Sequence, residues 1–374
     1  MKTAIRKIIK LSWLICFVLF IACSNNEKQI ELKMIASNEK GLITVNPSDI
    51  KDTVELKLSD FIEDIEIIRL ESSSQDALIK PGVVYISDNY IGYKGNHVIP
   101  GKLFERSTGK FICNLGSVGQ GANEYFSITD MMICEKTESV YVLPMMAENM
   151  LVFDLKGNIK RLIPIAEKIT KGAFFINDAE MIAIANMPFK NSKYVVWTQD
   201  FDGKVIHTVD SKPYIVDNYN DEMFHKGNTP KFDLFFTTQT NIWNYDIKSN
   251  KLNEVFHLDL KDKNSFFVLT ELSTLFMCDI LGGDISKGSF FVNKEDLRGA
   301  WYKMRNDMLG DYVMQKGLFW DGYYQWNVEP FELIEKIKPL YAQTDGEAKK
   351  RIKYVLDNIN EEDNNIIILG RLKK

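Results

Sequence analysis

Cysteine and histidine are scarce in this chain, and that scarcity rules out several kinds of chemistry. Five Cys and four His occur in 374 residues. Cys16 lies inside an N-terminal apolar run and Cys23 at its end. The remaining three, Cys113, Cys134 and Cys278, are odd in number, far apart and each flanked by apolar residues. A disulfide scaffold or a zinc site needs paired, closely spaced ligands, so these three read as buried free thiols. His97, His207, His225 and His257 never form an HxH or HExxH pattern. The sequence therefore writes no metal centre and no histidine-based triad, and either would have to be assembled by the tertiary fold. Basic stripes with interleaved aromatics are missing too. With a formal charge of −5, this argues against nucleic acid as a partner. No catalytic constellation and no cofactor signature is present. Long amphipathic helical patterns are absent until about Pro330.

What is present begins with an export signal. Lys2, Arg6, Lys7 and Lys10 form a basic start, followed by the apolar run Leu11 to Ala22. Such a run spans about 18 Å as a helix, short of the roughly 30 Å hydrocarbon core, so it reads as a cleaved signal. Ala22-Cys23 followed by Ser24-Asn25-Asn26 resembles the lipobox of bacterial lipoproteins, although Phe20 stands where a smaller aliphatic residue is usual. The resemblance implies acylation of Cys23, a membrane partner reached through the lipid, and residence in the outer membrane or cell envelope. The alternative is a secreted protein in which Cys23 is incidental. Residues 1–22 are thus expected as signal peptide and 23–51 as lipid-anchored tether and leader, with Asn25 to Lys40 a polar spacer.

From Asp52 onward, short β-rich runs alternate with turn signals. Five turns align: Ser107-Thr108-Gly109-Lys110, Leu155-Lys156-Gly157-Asn158, Phe201-Asp202-Gly203-Lys204, Ile247-Lys248-Ser249-Asn250 and Leu297-Arg298-Gly299-Ala300. In four of them an Asp precedes the Gly or Ser by three residues: Asp154, Asp200, Asp246 and Asp296. These lie 46, 46 and 50 residues apart, and Arg106 takes the place in the first copy. Asp accepts backbone N–H bonds two residues on, and Gly supplies the positive φ of a short hairpin. A 40–50-residue period in an all-β pattern is the signature of a propeller blade. Residues 52–374 have room for six blades plus an excursion, and helical spacing at about 330–360 supplies one. The expectation is an all-β, six-bladed β-propeller with a small helical insertion in the last blade. Its terminal strand, Asn365–Leu372, would pair with Asp64–Leu70 to hide both edges. Residues 295–307 could instead be a helix, but the Ser289–Val292 strand and the repeat phase favour a hairpin there.

The stretch Gly116-Ser117-Val118-Gly119-Gln120-Gly121-Ala122-Asn123-Glu124-Tyr125 is not a nucleotide loop, because it leads into Phe126-Ser127-Ile128 and lacks a Lys-Ser/Thr. Together with Leu58–Asp64, Ile68–Glu71 and Asn306-Asp307-Met308-Leu309-Gly310, it resembles the Bacteroidales-type six-bladed β-propeller lipoproteins. That family is related in architecture to NHL-repeat propellers, and here Ala122 replaces its usual Pro. The resemblance implies a propeller on a lipid anchor and little about activity.

Two loops are candidate ligand sites. Gly116, Gly119, Gly121, Glu124 and Tyr125 form either a tight crossover, in which Glu124 satisfies N–H groups and Tyr125 fills a gap, or a ligand loop at a tunnel mouth. The polar segment Asp217 to Lys231 offers Tyr219, Phe224 and His225, with a plain solvated loop as the alternative. Glu361-Glu362-Asp363 reads as a turn rather than a calcium site. Three functions remain open. The first is a non-enzymatic module binding a peptide, glycan or partner protein. The second is a lyase or hydrolase working in the tunnel, which converging Asp, Glu or His at the channel would favour. The third is a structural accessory of an envelope complex.

Overall fold

Two successive strands of the second repeat, Ser139–Pro144 and Asn149–Asp154, show why the chain folds as it does. Their residues are β-branched, aromatic or long aliphatic, and almost all are buried. Side chains alternate faces, so Val140, Val142, Leu151 and Phe153 enter one core. Tyr141, Leu143, Met150 and Val152 enter another. A sheet buried on both faces must sit between two others.

The computed structural model describes residues 31–121, 124–177, 181–260, 265–282, 288–314 and 318–373, within a compact unit running from Leu32 to Lys374. The expected signal peptide, Cys23, the start of the spacer and Ala122 lie outside the described residues. Among those described are six sheets of four to seven strands and one two-stranded ribbon, in a β-propeller arrangement. The first sheet is Val84–Ile86, Tyr90–Tyr93, Gly101–Glu105 and Phe111–Leu115, and the second runs from Ile128–Cys134 to Ile159–Pro164. The third runs from Gly172–Ile176 to Val205–Asp210. The fourth uses Met223–Phe224, Phe232–Phe236, Asn241–Asp246 and Lys251–Leu258. The fifth uses Ser265–Glu271, Leu275–Gly282, Gly288–Asn293 and Arg298–Asn306.

The propeller arrangement counts five blades against the six expected. The remaining sheet is composite: Leu318–Trp320, Tyr323–Val328, Ile366–Arg371 and then Glu66–Arg69 from the other end of the chain. Its register places Ile366 opposite Arg69 and Leu369 opposite Glu66. Ile366 and Ile368 face the core shared with the fifth sheet and the helices. Ile367 and Leu369 face the core shared with the first sheet. The helical excursion, Pro330–Ile337 and Gly346–Asn358, joins the second and third strands of this sheet.

The hairpins carry a second role beyond turning the chain. Asp154 Oδ1 accepts from the N–H groups of Lys156 (2.9 Å) and Asn158 (2.8 Å), and Asp200 does the same for Asp202 and Lys204. Gly157 and Gly203 have φ of +85° and +83°. Each tip also presses on the outer strand of the preceding sheet. A Cβ at Gly157 would stand 2.7 Å from the Asn114 carbonyl oxygen, and one at Gly203 2.9 Å from that of Pro164. At Gly109 (φ +70°) the obstacle is the Arg69 carbonyl oxygen, at 1.8 Å. The first sheet therefore latches onto the composite one. Asn250 makes the corresponding contact by donating from Nδ2 to the Thr208 carbonyl (3.0 Å).

Two expectations are corrected. In the last two hairpins the left-handed residues are Asn250 (φ +50°) and Leu297 (φ +60°), not Ser249 and Gly299. These loops hold one more residue than those at Gly157 and Gly203. Asp296 does accept the N–H two residues on, from Arg298 (3.0 Å), while Asn293 adds a second acceptor at the start of the turn, receiving the N–H groups of Glu295 (2.8 Å) and Asp296 (3.2 Å). Gly299 is paired strand, and its missing Cβ makes room for Ile35. The second correction concerns the leader. Ala36–Glu39 and Leu42–Val45 form a hairpin whose second strand runs parallel to Lys251–Leu258. Thr53–Lys57 runs parallel to Arg298–Asn306, and Lys33–Met34 pairs with the start of that same strand. The folded domain therefore begins near Leu32 rather than at 52, because the unpaired outer edges of two sheets accept these segments.

Candidate functional site

The innermost strands of successive sheets run side by side around a central channel, and the loops where they begin share one face. Three aromatic residues meet between these strands. Trp320 meets Tyr85 edge-on at 6.4 Å between ring centroids and Phe224 at 6.1 Å. Segment 226–228 reaches the composite sheet: Asp321 N–H donates to the Lys226 carbonyl (2.6 Å), and Asn228 Nδ2 donates to that of Phe319 (3.0 Å).

Charged groups gather against this floor. Asp130 is buried in an otherwise apolar strand and accepts from Tyr85 Oη (2.9 Å), Met131 N–H (2.9 Å) and Phe174 N–H (3.0 Å). Burial lifts its pKa to about 6 in spite of those bonds, because an ion with little water around it is costly. Asp321 sits at the tip of a hairpin with φ +53°, next to Gly322 at +76°. Its pKa also rises to about 6, from enclosure first and the Asp130 charge second. The residue itself is exposed at this turn. Lys94 donates to the Thr129 carbonyl (3.3 Å), and its pKa is lowered by burial, with Asp130 and Glu222 opposing that shift. Glu222 pairs with Lys171 at 2.6 Å.

A second network lies beside the first. Glu271 pairs with Lys294 (2.6 Å) and lies 3.6 Å from Lys231, while Asp233 holds Thr229 Oγ1 (2.7 Å) and Asn244 Nδ2 (2.9 Å). It lines a cavity of only ≈ 20 Å³, about one water molecule in size. Among the described residues, no group of three or more His, Cys, Asp or Glu is arranged to hold a metal ion. Among the described residues, no helix is long and apolar enough to cross a membrane.

The glycine stretch lies on the channel-mouth face. Ser117–Val118 pairs in parallel with Glu124–Tyr125. Glu124 accepts from Gly121 N–H (2.8 Å) and Ser117 Oγ (3.3 Å), and a Cβ at Gly119 would collide with it. Those bonds, led by the one from Gly121, hold the Glu124 carboxyl below its ordinary pKa. Tyr125 is buried. Its hydroxyl receives the Gly101 N–H (2.8 Å) and donates to the Leu115 carbonyl (2.6 Å). Gly116 turns the chain at φ +73°. The Glu124 carboxylate is thus engaged inside the loop, and the Tyr125 hydroxyl by the first sheet.

Tyr219, Phe224 and His225 are not brought together. His225 is wedged between Phe175 and Phe232, bonded to the Asp233 carbonyl (3.0 Å), and pushed down to about 4 by burial. Phe224 belongs to the channel floor. Tyr219 alone is exposed, resting on Phe189 with centroids 4.7 Å apart. It ends an arc of exposed apolar residues on the channel-mouth face, with Val98, Phe126 and Met146, each more than half exposed. Contacts link the arc. His97 stacks on Phe126, Met145 N–H donates to the Ser127 carbonyl (2.8 Å), and Met146 N–H to that of Ile169 (2.6 Å). Lys171 Nζ donates to the Tyr219 carbonyl (2.9 Å).

The sequence reading missed Tyr85, Lys94, Asp130 and Asp321. One signal was available: Asp130 interrupts the strand ITDMMIC with a charge.

The family described as "Domain of unknown function (DUF4934)" matches residues 42–275. No curated protein sequence matches the chain. Among solved structures, a protein of Bacteroides fragilis described as exported is similar at TM-score 0.57 and 12% identity, over 86% of this chain and 100% of that one. A DUF4221 family member from Bacteroides vulgatus is similar at TM-score 0.45 and 10% identity, covering 83% and 97%. The Cps50 (Swd1) β-propeller domain of Myceliophthora thermophila follows at TM-score 0.38 and 9% identity, covering 69% and 82%.

Proposed function

This chain belongs to the DUF4934 family, and on that premise we propose that it is an exported, lipid-anchored binding module that engages a polypeptide partner through the channel-mouth face. The observation that carries this reading is the arc of Val98, Phe126, Met146 and Tyr219. Aromatic and Met side chains ringed by charged pairs such as Lys168–Glu148 and Lys171–Glu222 have the make-up of an interface core with its polar rim. Export and Cys23 acylation draw on the N-terminal residues and on the kind of protein the fold neighbour is described to be. A six-bladed ring, the architecture of NHL-type propellers, is supported by six apolar cores, each lying between two neighbouring sheets.

The test is cross-linking in envelope extracts with wild type and with a Phe126→Ser/Tyr219→Ser double variant. Wild type is expected to join a protein that the double variant loses. Equal capture by both, or capture of glycan alone, overturns the polypeptide reading. Detergent partitioning of Cys23→Ala decides the anchor. A second reading, an enzyme working in the channel, draws on Asp130 and Asp321 beside Tyr85. It lacks a positioned nucleophile among the described residues facing the channel.

A further inference from the structure

Seven described residues other than glycine hold a positive φ, and Met146 is one of them. That backbone is costly for an L side chain, because Cβ crowds the following carbonyl oxygen. Lys40, Glu138, Asn250, Asp311 and Asp321 carry polar side chains, as turn residues ordinarily do. Leu297 packs its side chain against the core between the fourth and fifth sheets. Met146 combines the strained backbone (φ +58°) with an apolar side chain, in a residue left 53% exposed. It burdens the fold twice, and an Asn or Gly at this turn would avoid both costs.

The connection 145–148 is also clamped from both sides. Met145 N–H donates to the Ser127 carbonyl (2.8 Å), in the passage from the first sheet to the second. Met146 N–H donates to the Ile169 carbonyl (2.6 Å) and Ile165 N–H to that of Glu148 (3.0 Å), both in the passage to the third. The thioether itself accepts from Thr170 Oγ1, at 3.6 Å from Sδ. Strain that the surroundings impose in this way is characteristic of ligand clamps. A side chain already fixed in place loses little further freedom on binding. An unbranched thioether suits an irregular apolar pocket.

We propose that Met146 is the anchor of the arc, the side chain that enters an apolar pocket on the polypeptide partner. Val98, Phe126 and Tyr219 close the contact around it. The proposal rests on the binding-module reading above and names what the partner must present, a protein surface with a pocket that takes an unbranched apolar side chain.

The experiment uses the whole exported chain, with the photo-cross-linker p-benzoylphenylalanine as its probe. The probe replaces Val98 in the arc or, as a control, the exposed Met34 at the edge of the fifth sheet. In envelope extract, position 98 is expected to join a protein that position 34 does not. Unlabelled chains then compete for that cross-link. Met146→Leu should compete within about threefold of wild type, because it keeps apolar volume. Met146→Asn should compete about tenfold or more weakly, as for an interface hot spot. Melting temperatures verify that each variant is folded. They also test the strain: Met146→Gly should melt at or above Met146→Ala, the reverse of the ordinary order. Gly melting below Ala, Asn competing within about tenfold of wild type, or Leu failing as Asn does overturns the anchor. If Phe126→Ser/Tyr219→Ser no longer competes while Met146→Asn still does, the anchor falls and the arc stands. If position 98 joins nothing specific, or the double variant competes as wild type does, the binding reading and the anchor fall together.

Discussion

The two ends of the sheets solve different problems with the same repeating chain. At the hairpin end, Asp154, Asp200 and Asp246 each satisfy their own turn, and the tips press on the neighbouring sheet. The turn N–H groups there are answered locally, and the chemistry recurs with the repeat. At the channel-mouth end nothing recurs. Loops differ in length, and apolar side chains stay uncovered. Repetition marks what holds the ring together, and its breakdown marks where a ligand can be distinguished.

The largest break is removal of the last ten residues. Ile366, Ile367, Ile368 and Leu369 are fully buried. At about 1.5–3 kcal/mol each, their loss is comparable to the whole stability of a domain, about 5–15 kcal/mol. The truncated chain should unfold or aggregate at ambient temperature. A truncation that keeps the wild-type melting temperature would show that the composite sheet is not what holds the two termini.

Next comes a pair of glycines that separates turn geometry from latching. Gly109 and Gly41 both have positive φ, but a Cβ at Gly41 meets nothing within 4 Å, whereas at Gly109 it runs into the Arg69 carbonyl. Gly41→Ala should cost about 1 kcal/mol from backbone strain alone. Gly109→Ala should cost about 2–4 kcal/mol, because strain and overpacking add. Denaturant midpoints measure both, and equal losses would mean that the tips do not bear on the neighbouring sheet.

A smaller effect contrasts two turn carboxylates by pH. Asp154 has a lowered pKa, chiefly through the Asn158 side chain, so its stabilisation is present above the unfolded value near 4 and is lost as acid protonates it. Asp321 has a raised pKa of about 6. The unfolded chain releases that proton first, so stability falls as pH rises from about 4 to 6. Asp321→Asn removes that fall, and its melting temperature should gain on wild type between pH 4 and pH 7. A constant difference across that range would place Asp321 in ordinary solvent. Smallest of all, Lys156→Ala should stay within about 0.5 kcal/mol of wild type, since alanine keeps the backbone N–H given to Asp154 and the Lys156 charge is the smallest influence on that carboxylate.

How far these features could be read in the sequence follows the same division. The hairpins, their period, the pairing of Asp64–Leu70 with Asn365–Leu372 and the helical excursion were legible, because each is a local pattern or an apolar run. The last hairpin was misplaced by a residue or more, because no turn rule expects Leu297 at positive φ. The leader strands were missed because Ala-Ser-Asn-Glu has no apolar face, and its pairing comes from an open sheet edge. The channel charges were invisible for a different reason. Lys94, Asp130 and Asp321 come from three different sheets, and Asp321-Gly322 looks like any tight hairpin turn.

The parallel leader strands impose an order on folding. Ile43 pairs with Phe256, Thr53 with Trp301, and Arg69 with Ile366. A chain made from its N-terminus thus exposes these segments long before their partners exist, and the composite sheet cannot close until nearly the last residue is available. Contacts this distant in sequence form slowly. The interval leaves the open edges of the early sheets available to other chains. The strands that seal the finished protein are also the ones it needs shielded while it is being made.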